Sequence, residues 1–292
     1  MDPMASTSKI VFLGTSAFAV PSLRVLAGDP RFKVELVITQ PDRPVGRKQI
    51  LTLPPIKVAA KELGLPIFQP ENINQAISDK RLAVSADFLI VVSYGQLLSQ
   101  ELLDWPTVAA VNVHASLLPK YRGASPIQHA ILAGDGETGI TIQKMARELD
   151  SGPVLSQEKI QIGERETFAL LHDKLASIGA ALLLKTLSEP LKELKQDESK
   201  ATFCRKLTRA DGEADPKTMT ASEIDRMTRA LNPWPGVTLK GNKILETSLS
   251  PHKDALTVAC TRNTTLYVIK IQPPSGNPMT GRSFAAGHSL PD

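Results

Sequence analysis

Short, nearly uninterrupted apolar runs at 10–13, 34–38, 88–92 and 109–113 alternate with longer segments of helical apolar spacing, and this restricts the fold more than any other feature. A strand with one wetted face alternates apolar and polar residues. A strand apolar at consecutive positions is buried on both faces, as in a parallel sheet covered by crossover helices. The runs therefore predict an α/β fold with a Rossmann-like parallel or mixed sheet. Ser16 reads as the N-cap of a first helix over 16–26, and 139–145 as a further strand. Phe168, Leu171, Leu175, Ile178 and Leu182 predict a long closing helix within 166–187, stopped by Pro190. The charge-rich stretch that follows reads as a solvated linker at 189–206. Beyond it, a helix over 221–231 precedes short strands at 237–240, 255–260 and 265–271 with Pro and Gly between them, the pattern of a small β-barrel or sandwich. The expected domains are 9–188 and 207–292.

Composition removes several function classes. Across 292 residues, 42% hydrophobic and 22% charged content is that of a globular chain. The most membrane-like stretch, 9–26, is broken by Gly14, Thr15, Ser16, Pro21, Ser22 and Arg24, so no membrane association is expected. Cys204 and Cys260 stand alone, and the five histidines lack ligand spacing. The expectation is reduced thiols, a cytoplasmic location and no metal. A net charge of +4 (34 Lys and Arg against 30 Asp and Glu) suits a polyanionic partner without requiring one.

The chemistry concentrates after the fourth run. On a strand, residues two apart share a face, so Asn112 and His114 point together while Val111 and Val113 point away. An amide beside an imidazole on a central strand costs desolvation unless partnered, and carboxyl ends of such strands bind ligands. A satisfied structural histidine is the other reading. Residues 115–126 form a Pro- and Gly-punctuated loop carrying Ser116, Lys120, Tyr121 and Arg122, suited to cradling a polar heterocycle. Asp150, after the 139–145 strand, reads either as an Asx-turn residue before Gly152 or as the acid that orients His114. No G-x-S-x-G elbow supports a serine hydrolase. Gly14-Thr-Ser-Ala-Phe18 lacks the glycine fingerprint of a dehydrogenase, and no acid ends the second strand at Thr39-Gln40. An Asn–His–Asp set suits acyl transfer to an amine: an oxyanion donor, a proton carrier and an orienting acid.

The motifs Phe12-Leu-Gly-Thr-Ser16, Gln40-Pro-Asp-Arg-Pro44 with Gly46-Arg47, Asn112-Val-His-Ala-Ser-Leu-Leu-Pro119, Tyr121-Arg-Gly123, Pro126-Ile-Gln128, Glu137-Thr-Gly139 and Leu149-Asp-Ser-Gly152 run along most of the chain. With them, from Lys9 to about His288, the chain resembles the methionyl-tRNA formyltransferase family of folate-dependent formyltransferases. The resemblance implies a formyltransferase domain followed by a C-terminal OB-like barrel, a catalytic set of Asn112, His114 and Asp150, and folate contacts at Ser116, Leu117, Leu118 and Pro119. It further implies 10-formyltetrahydrofolate as formyl donor and initiator Met-tRNA as partner; a monomer is the expectation for the chain. The Pro-rich insertion carrying Arg43, Arg47 and Lys48 is implied to reach the tRNA acceptor end. Residues 207–292 hold ten Lys and Arg against eight Asp and Glu, only weakly basic. The span between Lys243 and Leu256 is short, and Thr261-Arg-Asn-Thr-Thr265 stands where the family has a Gly-rich hairpin, which implies a barrel with a strand lost or distorted. Alternatives with the same chemistry are transfer to a sugar-nucleotide amine and hydrolysis of formyl-folate. An RNA-binding module without catalysis leaves the Asn112, His114 and Asp150 set unused.

Overall fold

A computed structural model describes residues 7–46, 48–80, 82 and 84–287. Two compact units interleave along the chain. The first comprises residues up to 122, 139–160 and 172–203; the second comprises 123–138, 161–171 and the chain from 204.

In the first unit, β1 (Ser8–Gly14), β2 (Phe32–Ile38), β3 (Ile67–Phe68), β4 (Phe88–Val92), β5 (Ala109–His114), β6 (Glu137–Lys144) and β7 (Val154–Gln161) form one sheet in the order β7-β6-β5-β4-β1-β2-β3. β1 to β5 pair in parallel, and β6 runs antiparallel to β5, so the sheet is mixed. The consecutive apolar residues behave as expected, since Ile10 to Leu13 are all fully buried. Val11, Leu13, Leu89 and Val91 enter one core face with Ile73, Ile77, Leu102 and Leu103, residues of α3 (Ile73–Ser78) and α4 (Gln100–Leu103). α1 (Val20–Gly28) and α2 (Pro55–Glu62) pack together. α5 (Pro126–Ala133) follows β5 in the chain, and α6 (Phe168–Leu187) matches the predicted closing helix. Gly179 of α6 lies so close to the sheet that a Cβ there would stand 3.0 Å from the Val113 side chain. No helix among the described residues is long and apolar enough to cross a membrane.

Two local expectations change. Ser16 does not cap a helix with its side chain; its hydroxyl donates to Ser93 Oγ at 2.8 Å, joining the ends of β1 and β4, and α1 starts later, at Val20. The 189–206 stretch is no loose linker. Leu194 and Val154 exchange backbone hydrogen bonds at 2.8 and 2.9 Å, and Gln196 is buried. Charged neighbours hid one buried amide there.

In the second unit, β8 (Glu213–Ala214), β9 (Val237–Leu239), β10 (Asn242–Ser248), β11 (Leu256–Cys260) and β12 (Thr264–Gln272) form a sheet in the order β8-β9-β10-β12-β11, with β13 (Met279–Thr280) also on β12. β10, in the short 243–256 region, is a strand that the sequence reading did not assign; it pairs centrally between β9 and β12, and its register against β12 shifts between Ile244 and Glu246 and between Glu246 and Thr247, the distorted form of the expected barrel. The hairpin joining β11 and β12 needs no glycine, because Arg262 and Asn263 both take the left-handed conformation, at φ +54° each. α7 (Ala221–Leu231) and α8 (Gly281–Gly287) pack against the sheet. A reciprocal Thr220–Glu223 capping box starts α7. This unit also gathers segments expected in the first domain, since the Arg226 side chain of α7 donates to the Leu132 carbonyl of α5 at 3.0 Å.

The second unit is tied by one carboxylate. Asp225, 1% exposed, accepts both its oxygens' bonds from Arg165 (2.8 and 2.9 Å), one from Arg229 (2.9 Å) and one from Thr247 Oγ1 (2.7 Å). Removing one partner of a buried ionic cluster leaves charge without compensation. Asp225→Ala is expected to cost about 3–5 kcal/mol, read as a lower denaturation midpoint of the second unit; an unchanged midpoint contradicts the assignment.

Candidate active site

The parallel register sets Leu13 beside Val91 and Val91 beside Asn112, so the carboxyl ends of β1, β4 and β5 share one edge. Open α/β sheets bind ligands at such an edge. Asn112 is half-buried there and His114 is 6% exposed. On the antiparallel side, Asn112 pairs with Gln143 and His114 with Thr141. The chain leaving β6 then turns back and places Asp150 against both strands.

Asp150 has φ +51°, a left-handed conformation that Asp tolerates better than most residues. Its Oδ1 lies 3.5 Å from Asn112 Nδ2, and its Oδ2 lies 3.6 Å from His114 Nδ1, at ion-pair distance. The three predicted residues therefore converge. Their linkage differs from the expectation in one respect: the imidazole is not anchored chiefly by Asp150. His114 Nε2 is 2.9 Å from the carbonyl oxygen of Tyr121. A carbonyl only accepts, so Nε2 carries the proton and Nδ1 is the nitrogen left facing Asp150.

The 116–119 segment is largely occupied with holding itself. Ser116 is fully buried and donates its hydroxyl to the Lys120 carbonyl. Thr141 Oγ1 donates to the Ser116 carbonyl at 2.7 Å and accepts from Leu118 N–H at 3.0 Å, while Gln157 Nε2 donates to the Leu118 carbonyl at 2.8 Å. Leu118 is buried, so Leu117 and Pro119 present the accessible surface of this segment. β6 comes this close only because residue 139 is glycine: a Cβ there would lie 2.1 Å from the Glu158 carbonyl oxygen and 2.6 Å from Leu117 Cδ2.

The insertion after β2 forms a hairpin of Arg43–Val45 against Ile50–Thr52. Arg43 pairs with Glu71 at 2.6 Å, both side chains being exposed, and Lys48 is exposed at the turn. Arg47 lies outside the described residues. Lys57 is bound to Asp42 at 2.6 Å, and the Gln69 amide and then this ammonium hold the Asp42 carboxyl below its usual range. Among the described residues no group of three or more His, Cys, Asp and Glu is placed to hold a metal.

The family description "Formyl transferase" matches residues 8–187, and "Formyl transferase, C-terminal domain" matches 206–289. A methionyl-tRNA formyltransferase of Methylococcus capsulatus is 40% identical over 304 residues, covering 97% of each chain. One from Bacillus velezensis is 38% identical over 305 residues, covering 97% of this chain and 96% of the relative. The chain belongs to the methionyl-tRNA formyltransferase family. Its fold is shared more widely: an N-formyltransferase from Helicobacter canadensis, solved with folinic acid and dTDP-3-aminofucose, has a TM-score of 0.68 at 17% identity, covering 89% of this chain and 98% of that one.

Within this formyltransferase framework, sequence reasoning missed two glutamines. Gln143 Nε2 donates to Asp150 Oδ1 at 2.8 Å, shorter than the Asn112 contact, and its buried Oε1 has no partner among the described residues. An amide in the apolar run of β6, facing Asn112 across the register, was the available signal. Gln196 offered no such signal.

Proposed function

We propose that the chain transfers the formyl group of 10-formyltetrahydrofolate to the α-amine of methionyl initiator tRNA, with Asn112, His114 and Asp150 as the catalytic set. The observation that carries this reading is the convergence of an amide, an imidazole and a carboxylate at the carboxyl edge of the sheet, in a chain whose relatives near 40% identity are named methionyl-tRNA formyltransferases.

The donor is a flat polar heterocycle, and the residues present suit it in kind: half-exposed Leu117 and Pro119 offer apolar surface on the loop that follows the Asn112 amide donor and the His114 Nδ1 acceptor. When bound it supplies an electrophilic formyl carbon and a nitrogen leaving group. The chain's part follows from its atoms. Asn112 Nδ2–H would donate to the formyl oxygen as negative charge develops there, a role typically contributing about 10²–10³ in turnover. His114 Nδ1 takes the proton released by the attacking amine and returns it to the leaving nitrogen. Nε2–H stays on the Tyr121 carbonyl throughout and keeps the ring from turning. Asp150 stabilises the positive ring while the proton is in transit.

The cations of the insertion, Arg43, Arg47 and Lys48, serve the tRNA phosphates; 9–188 serves as the catalytic domain and 207–292 as the tRNA-binding domain. Arg43 exchanges Glu71 for phosphate on binding. The chain works as a monomer in the cytoplasm.

The deciding experiment is formyl transfer to charged initiator Met-tRNA, with charged elongator Met-tRNA and free methionine as comparison acceptors. Transfer to the initiator alone is expected. Consumption of the donor without transfer to any of the three overturns the acceptor assignment and favours a sugar-amine acceptor or water. Arg43→Ala is expected to raise KM for the tRNA and to reduce the steepness of its salt dependence by about one counterion, with KM for the folate donor unchanged. An unaltered salt slope makes the hairpin a mere connection.

A further inference from the structure

The stretch read from sequence as a solvated linker sends one side chain into the heart of the first unit. Gln196 is 6% exposed. Its Nε2 donates to the carbonyl oxygens of Asp150 at 2.8 Å and Gly152 at 2.7 Å. Its Oε1 accepts from Arg122 Nε at 3.1 Å and Nη2 at 2.8 Å. All four bonding positions of the amide are thereby used, and its orientation is unambiguous. Carbonyls can only accept and a guanidinium can only donate, so exchanging N and O would break every bond.

Arg122 is itself 3% exposed and is held in place by Glu198, with bonds of 2.8 and 2.7 Å. A charged donor on Oε1 polarises the amide and strengthens its N–H groups as donors. Those N–H groups grip both ends of the three-residue turn that carries Asp150. The turn needs gripping: Asp150 is in the left-handed region at φ +51°. Gly152 is pressed against β6, where a Cβ would stand 1.9 Å from the Lys144 carbonyl oxygen. Gln143 orients the Asp150 carboxylate from the strand side, whereas Gln196 fixes its backbone from the opposite side of the turn.

We infer that Gln196, set by Arg122, is a positioning residue for the formyl-transfer step: it holds the Asp150 turn in the one backbone conformation that brings the carboxylate to His114. The inference rests on the function proposed above. A merely structural role, as an acceptor for a buried guanidinium, is the competing explanation, and Gln196→Glu separates the two. Glutamate is isosteric and satisfies Arg122 at least as well, but it sets an oxygen against two carbonyl oxygens where donors are required.

The test uses the full chain with Gln196→Leu, Gln196→Glu, Asp150→Asn and the Asp150→Asn/Gln196→Leu double variant, measured in single-turnover formyl transfer. Both Gln196 variants are expected to lower the rate constant about 10²-fold, the usual consequence of an ångström-scale misplacement, with KM for the tRNA and the folate donor unchanged. In the Asp150→Asn background, Gln196→Leu is expected to add almost nothing, because the group it positions is already gone. A fully active Gln196→Glu, or full additivity in the double variant, overturns the inference. Should the leucine variant not fold, the glutamate variant carries the test. A crystal structure of Gln196→Glu supplies a readout independent of activity. An Asp150 carboxylate displaced from His114 supports positioning; an unmoved Asp150 refutes it. A wild-type chain without transfer to methionyl-tRNA would instead sink the proposed function, leaving the crystallographic comparison to decide the positioning claim.

Discussion

Strand β5 lies between a parallel neighbour, β4, and an antiparallel one, β6, and those two registers decide where each side chain of the proposed catalytic set stands. The parallel pairing brings Asn112 level with Val91 at the carboxyl edge of the sheet. The antiparallel pairing sets Gln143 beside Asn112 and Thr141 beside His114, and it returns the chain so that Asp150 arrives opposite both. Because side chains alternate along a strand, a slip of one residue in either pairing would send Asn112 and His114 to the other face. Burial enforces the register: Val111 and Val113 occupy the opposite face, where Val113 contacts α6 at Gly179.

Desolvation is the difficulty that such a register creates, and the surrounding polar residues answer it with bonds rather than with solvent. The imidazole is fixed by a backbone carbonyl, the loop after β5 by Thr141 and Gln157, and the Asp150 turn by Gln196. Each of these groups is neutral and already holds its hydrogen-bond partner within the protein. The site is therefore ordered before any substrate arrives, which keeps reorganisation out of the reaction barrier.

Much of this was legible in the sequence for reasons that can be named. Apolar residues at consecutive positions announced strands buried on both faces, and all four runs became strands of the mixed sheet. Asn112 and His114 were visible as polar residues two apart in such a run, and the resemblance supplied Asp150 as their third member. Features set by tertiary partners were not legible. Ser16 looked like a helix cap because its rival, the Ser93 hydroxyl, lies 77 residues away in sequence. Gln196 was hidden among Lys192, Glu193, Lys195, Asp197 and Glu198, a composition that describes a solvated surface even when one side chain points inward. β10 escaped because its alternating pattern (Asn-Lys-Ile-Leu-Glu-Thr-Ser) includes a buried Asn242 and Thr247 where apolar residues are the usual signal.

The central claim is that a preformed donor at Asn112, rather than proximity alone, drives formyl transfer. Single-turnover transfer by Asn112→Ala, with the folate donor and methionyl-tRNA both saturating, tests it most directly. A fall of about 10²–10³ in the rate constant, in a variant with the wild-type fold and unchanged affinity for both substrates, is the result predicted. A rate within a few-fold of the wild type would contradict it and leave His114 and Asp150 acting without an oxyanion donor on β5.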